Sequence, residues 1–571
     1  MLCAAQTAPA QTAGYPSGTQ SAPQNPNNQL VGGMLSAPQS QETSPYGAAT
    51  SSLYGQIQAQ SSAAAPPWIL TEYAGVDEIA TDNVNFTSVA RQADLGSLFS
   101  AGGILTTDSA RVTGILSLTG AYRRQIVDSA LDHFLVYGYT KEEVTLVPGS
   151  LYLGLHGLMD DVDRVGLGLQ NALAQYGNLT QIYQASASPL YYIDVNDSTF
   201  NLLRYEAGQV LFSRNDSSFN FQGLTIPGIT NSTDQLLRDD FRMVGTVFQR
   251  LLTDISFGGA SYNSGSQDVG DFTRERAEIV NAYALTRSLA LVGAAGYERL
   301  HDRDFPQVSG QDATWSAGVR FLPNADSYAL LTYGRQDLRT DFAGELAWNI
   351  TPLTSVYMDY TDFVTTLQEQ SIANINASEI GPFGAVTHVV FDQNAVINTI
   401  DDPLLSGTPD AGLPTTTLGA PLADVNNTLP LTNGLFRFKA LRATANAQIT
   451  DNVVSLTFLN FDQTRLAGRG VYPFGRTLTS YRAVLSWTRF LSPEVEGHIA
   501  ANFERQVGSQ SASTSASTSF GSANEYGMNI ALNWRISQRL DAFLRYDFID
   551  YSKSANIYEN VVTVGLHKTF D

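Results

Sequence analysis

Residues 526–536 read YGMNIALNWRI, and their even positions are Tyr526, Met528, Ile530, Leu532, Trp534 and Ile536. The odd positions are Gly527, Asn529, Ala531, Asn533 and Arg535. Successive side chains of a strand point to opposite sides, so this stretch is a strand with one wholly apolar face and one small or polar face. The same division recurs in 313–321, where Ala313, Trp315, Ala317, Val319 and Phe321 oppose Thr314, Ser316, Gly318 and Arg320. It recurs again in 342–350 and 495–504. The chain then closes on VVTVGLHKTFD (561–571), in which Val562, Val564, Leu566 and Phe570 alternate with Thr563, Gly565, His567 and Thr569.

A soluble β-sandwich carries the same alternation, with the apolar face turned inward, so other features must choose between the two. A short pattern links the strands: an aliphatic residue, Thr or Ser, two turn residues, then an aliphatic residue opening the next strand. It appears at 285–289, 449–453, 491–495 and 536–540, with a looser copy from Ile350. Twelve positions after the first aliphatic stands an aromatic, Tyr297, Phe461, Phe503 or Phe548, and Glu298, Asp462 and Glu504 follow three of these. A tight turn, a strand of about 9 to 11 residues and an aromatic girdle at the far interface are the pattern of a strand crossing a bilayer, after which the chain enters charged loops. The connections at the other end, such as 301–312 and 508–524, are longer and polar. Short turns at one end and long loops at the other point to an outer-membrane barrel.

Composition agrees. Of 571 residues only 15% are charged, against about 25% in an average soluble domain, while 43% are hydrophobic and 10% aromatic. The balance of 33 basic to 54 acidic residues, net −21, excludes the positive surface that nucleic acid or anionic lipid requires. The single cysteine, Cys3, allows no intrachain disulfide and no cysteine-based metal cluster, and suits an oxidising compartment. No apolar run approaches the ~18 residues of a membrane-spanning helix. A bilayer crossing therefore falls to strands.

The expected architecture is an all-β, transmembrane antiparallel β-barrel over 68–571, with about 22 strands in a range of roughly 16 to 24. Residues 1–67 read as a signal-peptide remnant followed by a low-complexity, disordered segment in which Glu42 is the only charge between 6 and 67. Small residues before Gln6 and before Gln11 suit signal cleavage; Leu2 stands where a lipoprotein signal at Cys3 wants a small residue. The longest connection, about 368–433, is expected on the extracellular side. Folded inward it narrows a pore and folded outward it is a surface flap, and no residue in it decides.

The sequence holds no metal-ligand spacing among its six histidines, no G-x-S-x-G and no phosphate-binding glycine loop. No catalytic residue, metal or cofactor is expected, and the acids of DDVDR (160–164) and HDRD (301–304) read as solvated loop charge. The inward-facing charges are candidates for the lumen lining: Arg320, Glu345, Arg442, Glu496, Glu504, Arg535, Asp541, Arg545 and Asp547. Their mixed signs imply a wetted lumen rather than an apolar ligand channel, and they also serve the plain need of a wide barrel to hydrate its interior. In the last strand Tyr558, Val562, Val564, Leu566 and Phe570 are expected toward lipid, with Lys568 snorkelling.

Several stretches, taken in order, carry a resemblance: TDNVNF (81–86), the Ala110-Arg111 and Gly114 of ARVTG, VGDFTRERAE (269–278), YALTRSLALVGAAGYE (283–298), WSAGVRFLPN (315–324) and LLTYGRQD (330–337). The chain resembles the PEP-CTERM system-associated outer-membrane β-barrel family, found with exopolysaccharide loci. The resemblance implies a barrel tied to polysaccharide production or export, with polysaccharide export components as partners, and brings no catalytic residues. The long 368–433 connection and the low-complexity start depart from that family. The last strand, ending in an aromatic next to Asp571, resembles the signal read by the outer-membrane assembly machinery. The expected role is a non-enzymatic outer-membrane pore or export-assisting protein for a hydrophilic substrate. The rival readings are a structural or surface-attachment protein with a closed lumen, and an outer-membrane hydrolase.

Overall fold

The computed structural model describes residues 68–570 apart from 85–87, 89, 128–131, 164–178, 197–198, 214–218, 222–223, 227–230, 245–250, 265–270, 287, 304–307, 325–326, 352, 367–378, 381–385, 389–434, 468–476, 509–521 and 553–555. The low-complexity start thus lies outside the described residues, as does most of the long connection. Among the described residues there is no α-helix.

The strands are, in chain order, β1 (Trp68–Thr81), β2 (Asp94–Asp108), β3 (Val112–Gln125), β4 (His133–Val147), β5 (Leu151–Asp163), β6 (Leu179–Asn196), β7 (Thr199–Phe212), β8 (Phe219–Phe221), β9 (Leu224–Ile226), β10 (Ser232–Val244), β11 (Leu251–Ser264), β12 (Phe272–Ala284) and β13 (Leu289–Asp302). They continue with β14 (Gly310–Asn324), β15 (Ser327–Gln336), β16 (Arg339–Thr351), β17 (Thr354–Thr366), β18 (Glu379–Ile380), β19 (Val386–His388), β20 (Leu435–Ile449), β21 (Asn452–Ala467), β22 (Thr477–Ser492), β23 (Val495–Gly508), β24 (Ser522–Ser537), β25 (Leu540–Ser552) and β26 (Asn556–Phe570).

The pairs β8–β9 and β18–β19 are small hairpins in connections. The other 22 strands form one antiparallel sheet in which each pairs with its neighbours along the chain, and β1 pairs with both β2 and β26. The sheet is a closed ring, so no edge strand is left to present unpaired backbone to lipid.

Alternation decides the two faces. Along β26 the residues Tyr558, Val562, Val564, Leu566 and Phe570 are exposed while Thr563, Gly565, His567 and Thr569 are buried. All six apolar residues of the 526–536 stretch are exposed, Trp534 at 52%. The outer face collects dozens of such side chains, Leu485, Leu331 and Phe257 among them. An exposed apolar band around a closed barrel, with polar residues on the inner face, is the inside-out arrangement that a bilayer selects. The protein is an outer-membrane barrel. By the asymmetry of its connections the short turns, such as 450–451, 493–494 and 538–539, are periplasmic, and β1 runs outward from that end.

Four details depart from the sequence reading. Phe461 is 2% exposed and faces inward, whereas Tyr297 and Phe503 face lipid. The cause lies in the turns: before Phe503 and Phe548 the hairpins carry a register shift at Phe490/Ser492 and Arg535/Ser537, but Ile449 pairs with Asn452 without one. One residue fewer in the turn exchanges the faces of everything beyond it. Glu298 likewise lies on the inner wall rather than in a loop. Asp160–Asp163 belong to the end of β5, and His301 and Asp302 to the end of β13, because strands extend past the bilayer. Lastly, β15 and β16 meet at the outer end through a two-residue turn, Asp337-Leu338, where long connections were expected.

Candidate functional site

The inner wall is built from polar pairs, some across strands and some two residues apart along one strand. Arg442 on β20 donates from Nε to Asp359 Oδ1 on β17 at 2.7 Å and from Nη2 to the Tyr357 hydroxyl at 3.1 Å, its guanidinium 4.9 Å from the Tyr357 ring centroid. Glu504 on β23 stands opposite Arg482 and accepts from Ser480 Oγ at 2.9 Å and Gln506 Nε2 at 2.7 Å. Arg535 Nε lies 3.8 Å from Asp541 Oδ1. Arg545 Nε lies 2.7 Å from Asp547 Oδ2, and Asn529 Nδ2 donates to the other Asp547 oxygen at 2.6 Å. Arg320 and Glu345 flank Leu330 on one inward row, and Glu496 stands between Phe490 and Asn533. All nine residues thus share the face away from the apolar band.

Sequence reasoning missed several partners on the same wall. Asp359 was one; Arg204 with Glu206 on β7, and Arg276 with Glu278 on β12 at 2.9 Å, are others. For the last two pairs the signal was available, since opposite charges stand two residues apart on one strand and so share a face; for Asp359 it was not, because its partner is set by the register with β20.

The ring closes at a second cluster. His567 Nε2 on β26 is 2.8 Å from Asp77 Oδ1 on β1, both essentially without solvent exposure. His567 also stands opposite Asp541 on β25. Above them Glu559 accepts from the Thr81 hydroxyl. At the outer end Asp82 accepts from the backbone N–H of Asn560 at 2.9 Å and its side-chain amide at 2.7 Å, and pairs with Arg91. Partial burial opposes ionisation of Asp82, but these donors outweigh it and hold its carboxyl below the usual carboxylate range. The Arg91 guanidinium covers the Tyr558 ring at 3.6 Å, and Val84 turns inward to pack with Ile79, Leu98, Leu135 and Val561.

The outer mouth is constricted on the far side of the ring. β16 and β17 pair only from Thr351–Thr354 to Gly344–Tyr360, after which β17 runs on to Thr366 without β16. Beyond that point, residues of β17 and β20 with lipid-side parity touch inner-face groups of other strands. Lys439 Nζ is 2.7 Å from Asp341 Oδ2. The Val364 N–H donates to Asp337 Oδ2 at 2.9 Å, and the Val364 carbonyl accepts from Arg274 of β12. Val364 and Leu435 pack with Tyr262, Phe272 and Leu300 from the inner face of β11 to β13. A residue of outward parity reaches an inner face only where its strand has crossed to the inner side. The outer ends of β17 and β20 are therefore folded into the barrel mouth. On the other side of this ribbon Phe363, Phe436 and Phe438 are each 1% exposed, with Phe363 and Phe438 stacked at 6.0 Å. β19, in the connection it carries, lies alongside β4 across the ring.

The inward ribbon is supported from below by the Asp337-Leu338 turn. Both residues have positive φ, 49° and 62°, a conformation ordinarily taken by Asn-Gly or Asp-Gly in such turns. The Leu338 N–H donates to Glu298 Oε1 at 2.7 Å and the Leu338 side chain fits over Gly310, so surrounding contacts hold what the backbone alone disfavours. The strand ends that flank the long connection, Thr366 and Leu435, are thus turned inward, while 368–433 itself lies, apart from β18 and β19, outside the described residues.

No family model matches the chain, and no curated protein matches it. Among solved structures it is similar to the FrpB iron transporter from Neisseria meningitidis, with a TM-score of 0.46 and 10% identity over 87% of this chain and 82% of that one. It is also similar to the ferric-catecholate import receptor Fiu from E. coli K12, with a TM-score of 0.44 and 10% identity over 87% and 81%. A third similarity is to OprD from Pseudomonas aeruginosa, with a TM-score of 0.33 and 7% identity over 89% and 97%. Values this low carry no argument about what this chain does.

Proposed function

We propose that the protein is an outer-membrane conduit for a hydrophilic, uncharged or weakly charged solute or polymer, with a mouth that is constricted at rest. The observation that carries this reading is the inner wall, where carboxylates and guanidinium groups are set against one another along and across the strands and hydroxyl and amide groups fill the positions between. Locally neutralised charge leaves a wetted surface without the single-sign ring that selects an ion by charge. Such a surface suits a chain of hydroxyl groups. A polysaccharide is the substrate class that the sequence resemblance to exopolysaccharide-associated barrels also supports.

Liposome swelling with neutral oligosaccharides of increasing size, beside planar-bilayer conductance, tests the reading. Oligosaccharide entry with little discrimination between small anions and cations is the expected result. A tight seal to both, retained after removal of 368–433, overturns it in favour of a structural protein with a closed lumen. The polysaccharide assignment has its own test, since cells lacking the protein are expected to release less surface polysaccharide with their other outer-membrane barrels intact.

A further inference from the structure

We propose that the outer ends of β17 and β20 are a gate, latched to the inner wall at Asp341, Asp337 and Arg274, which opens by zipping β17 back onto β16. The inference builds on the conduit reading but stands on the geometry of these strands alone. The register of the paired part fixes where the gate goes. Gly344 faces Tyr360, so continuing the ladder places Ala343 opposite Thr361, Asp341 opposite Phe363 and Arg339 opposite Thr365. Those backbone positions exist on both strands and are not paired with each other here. The hydrogen-bonding positions that β16 would take on Val364 are filled instead by side chains, the Asp337 carboxylate on its N–H and the Arg274 guanidinium on its carbonyl.

Two arrangements of comparable hydrogen-bonding content are what a bistable element requires. In the closed one the ribbon gains the Tyr262, Phe272 and Leu300 surface and the ion pair from Lys439 to Asp341. In the open one it gains a continuous ladder. The pairs inside the ribbon, Arg437 with Asp362 and Lys439 with Asp362 at 2.9 Å, join β17 to β20 and travel with it in both. The latch contacts are thus separable from the contacts that keep the ribbon intact.

A thiol placed at Phe438, buried in the closed arrangement, reads the motion directly. Cys3 is the only natural cysteine, so Cys3→Ser with Phe438→Cys gives one reporter. Arg274→Ala with Asp341→Ala removes two latch points and spares Asp337, which the tight turn needs. Labelling of the folded, heat-modifiable barrel by a membrane-impermeant maleimide is expected to run about tenfold faster with the latch removed, the change that loss of two modest net polar interactions produces. Arg299→Ala with Glu275→Ala, an exposed pair on the outer face of β12 and β13, is expected to leave the rate unchanged. If the double latch variant does not fold, Asp341→Ala alone is read in its place. Equal labelling with and without the latch, or fast labelling in the unaltered latch, overturns the gate. Faster labelling without current in any variant keeps the gate and removes the conduit; current without a labelling difference does the reverse.

Discussion

His567 and Asp77, 490 positions apart in the sequence, meet at 2.8 Å across the seam between the last strand and the first. Neither is exposed to solvent, so the hydrogen bond between them offsets part of the cost of leaving water. Asp77→Ala is expected to lower the unfolding free energy by about 3 kcal/mol, since truncation strands a buried polar partner. Asp77→Asn, which keeps a hydrogen-bonding group in place, is expected to cost less than half of that. Urea unfolding in detergent, followed by tryptophan fluorescence, checks both; equal losses would mean that the contact contributes only packing.

Gly565, two residues before His567, has no room for a side chain, because the Asp77 carboxylate and the Phe543 ring occupy the position of its missing Cβ. Gly565→Ala is expected to cost about 1–3 kcal/mol by overpacking the seam. Gly103 has its nearest neighbour at 3.5 Å, and Gly103→Ala is expected to be tolerated. The same unfolding curves distinguish the two positions.

Acid acts on the outer end of the seam. The folded-state pKa of Asp82 lies below its value in the unfolded chain, so its contribution is complete above the unfolded value and is lost as pH falls through the folded one. Protection of the Asp82 and Asn83 amides, taken relative to their intrinsic exchange at each pH, is therefore expected to hold at neutral pH and to fall only below about pH 4, near the ordinary Asp pKa. In Asp82→Asn this acid step disappears. A step centred near pH 6 would assign it to another group.

The two faces of β22 are expected to respond oppositely to charge. Leu485 is exposed in the middle of the strand, and Leu485→Arg is expected to cost about 2–4 kcal/mol near the midplane of the bilayer. Ser486→Lys, on the adjacent inward position, is expected to leave the heat-modifiable fraction unchanged and to shift ion preference. Gel mobility before and after heating reads the first, and reversal potentials the second.

Phe570 is exposed on the lipid face with Lys568 Nζ 5.2 Å from its ring centroid. Deleting Phe570 and Asp571 is expected to lower the yield of assembled barrel in cells several-fold, and Asp571→Ala to leave it unchanged. A normal yield from the deletion would remove Phe570 from the assembly signal.

Much of this fold is legible in the sequence because a barrel of antiparallel neighbours asks little beyond alternation and turns. The faces of 526–536, 313–321 and 558–570 follow from period two alone, and with the faces come the inward residues. Pairing is harder to read. That Arg442 meets Asp359 depends on the register of two strands separated by the longest connection, and nothing local to either residue encodes it. The inward ribbon is less legible still. Its cause is a short hairpin, β15 and β16, whose tight Asp337-Leu338 turn lacks the glycine that ordinarily announces one. The sequence reading placed an aromatic girdle at Phe461 by counting residues, where the deciding quantity was the register of a turn.

That turn has a further consequence. Between Ile449 and Asn452 stand only Thr450, with φ of 53°, and Asp451, and they determine which side of β21 meets oil. A single codon inserted there would leave every residue of the strand unaltered and yet ask Leu456 and Phe458 to exchange places with Ser455 and Thr457. In this barrel the grammar of inside and outside is kept at the periplasmic bends, where a spelling change of one letter would invert a whole word.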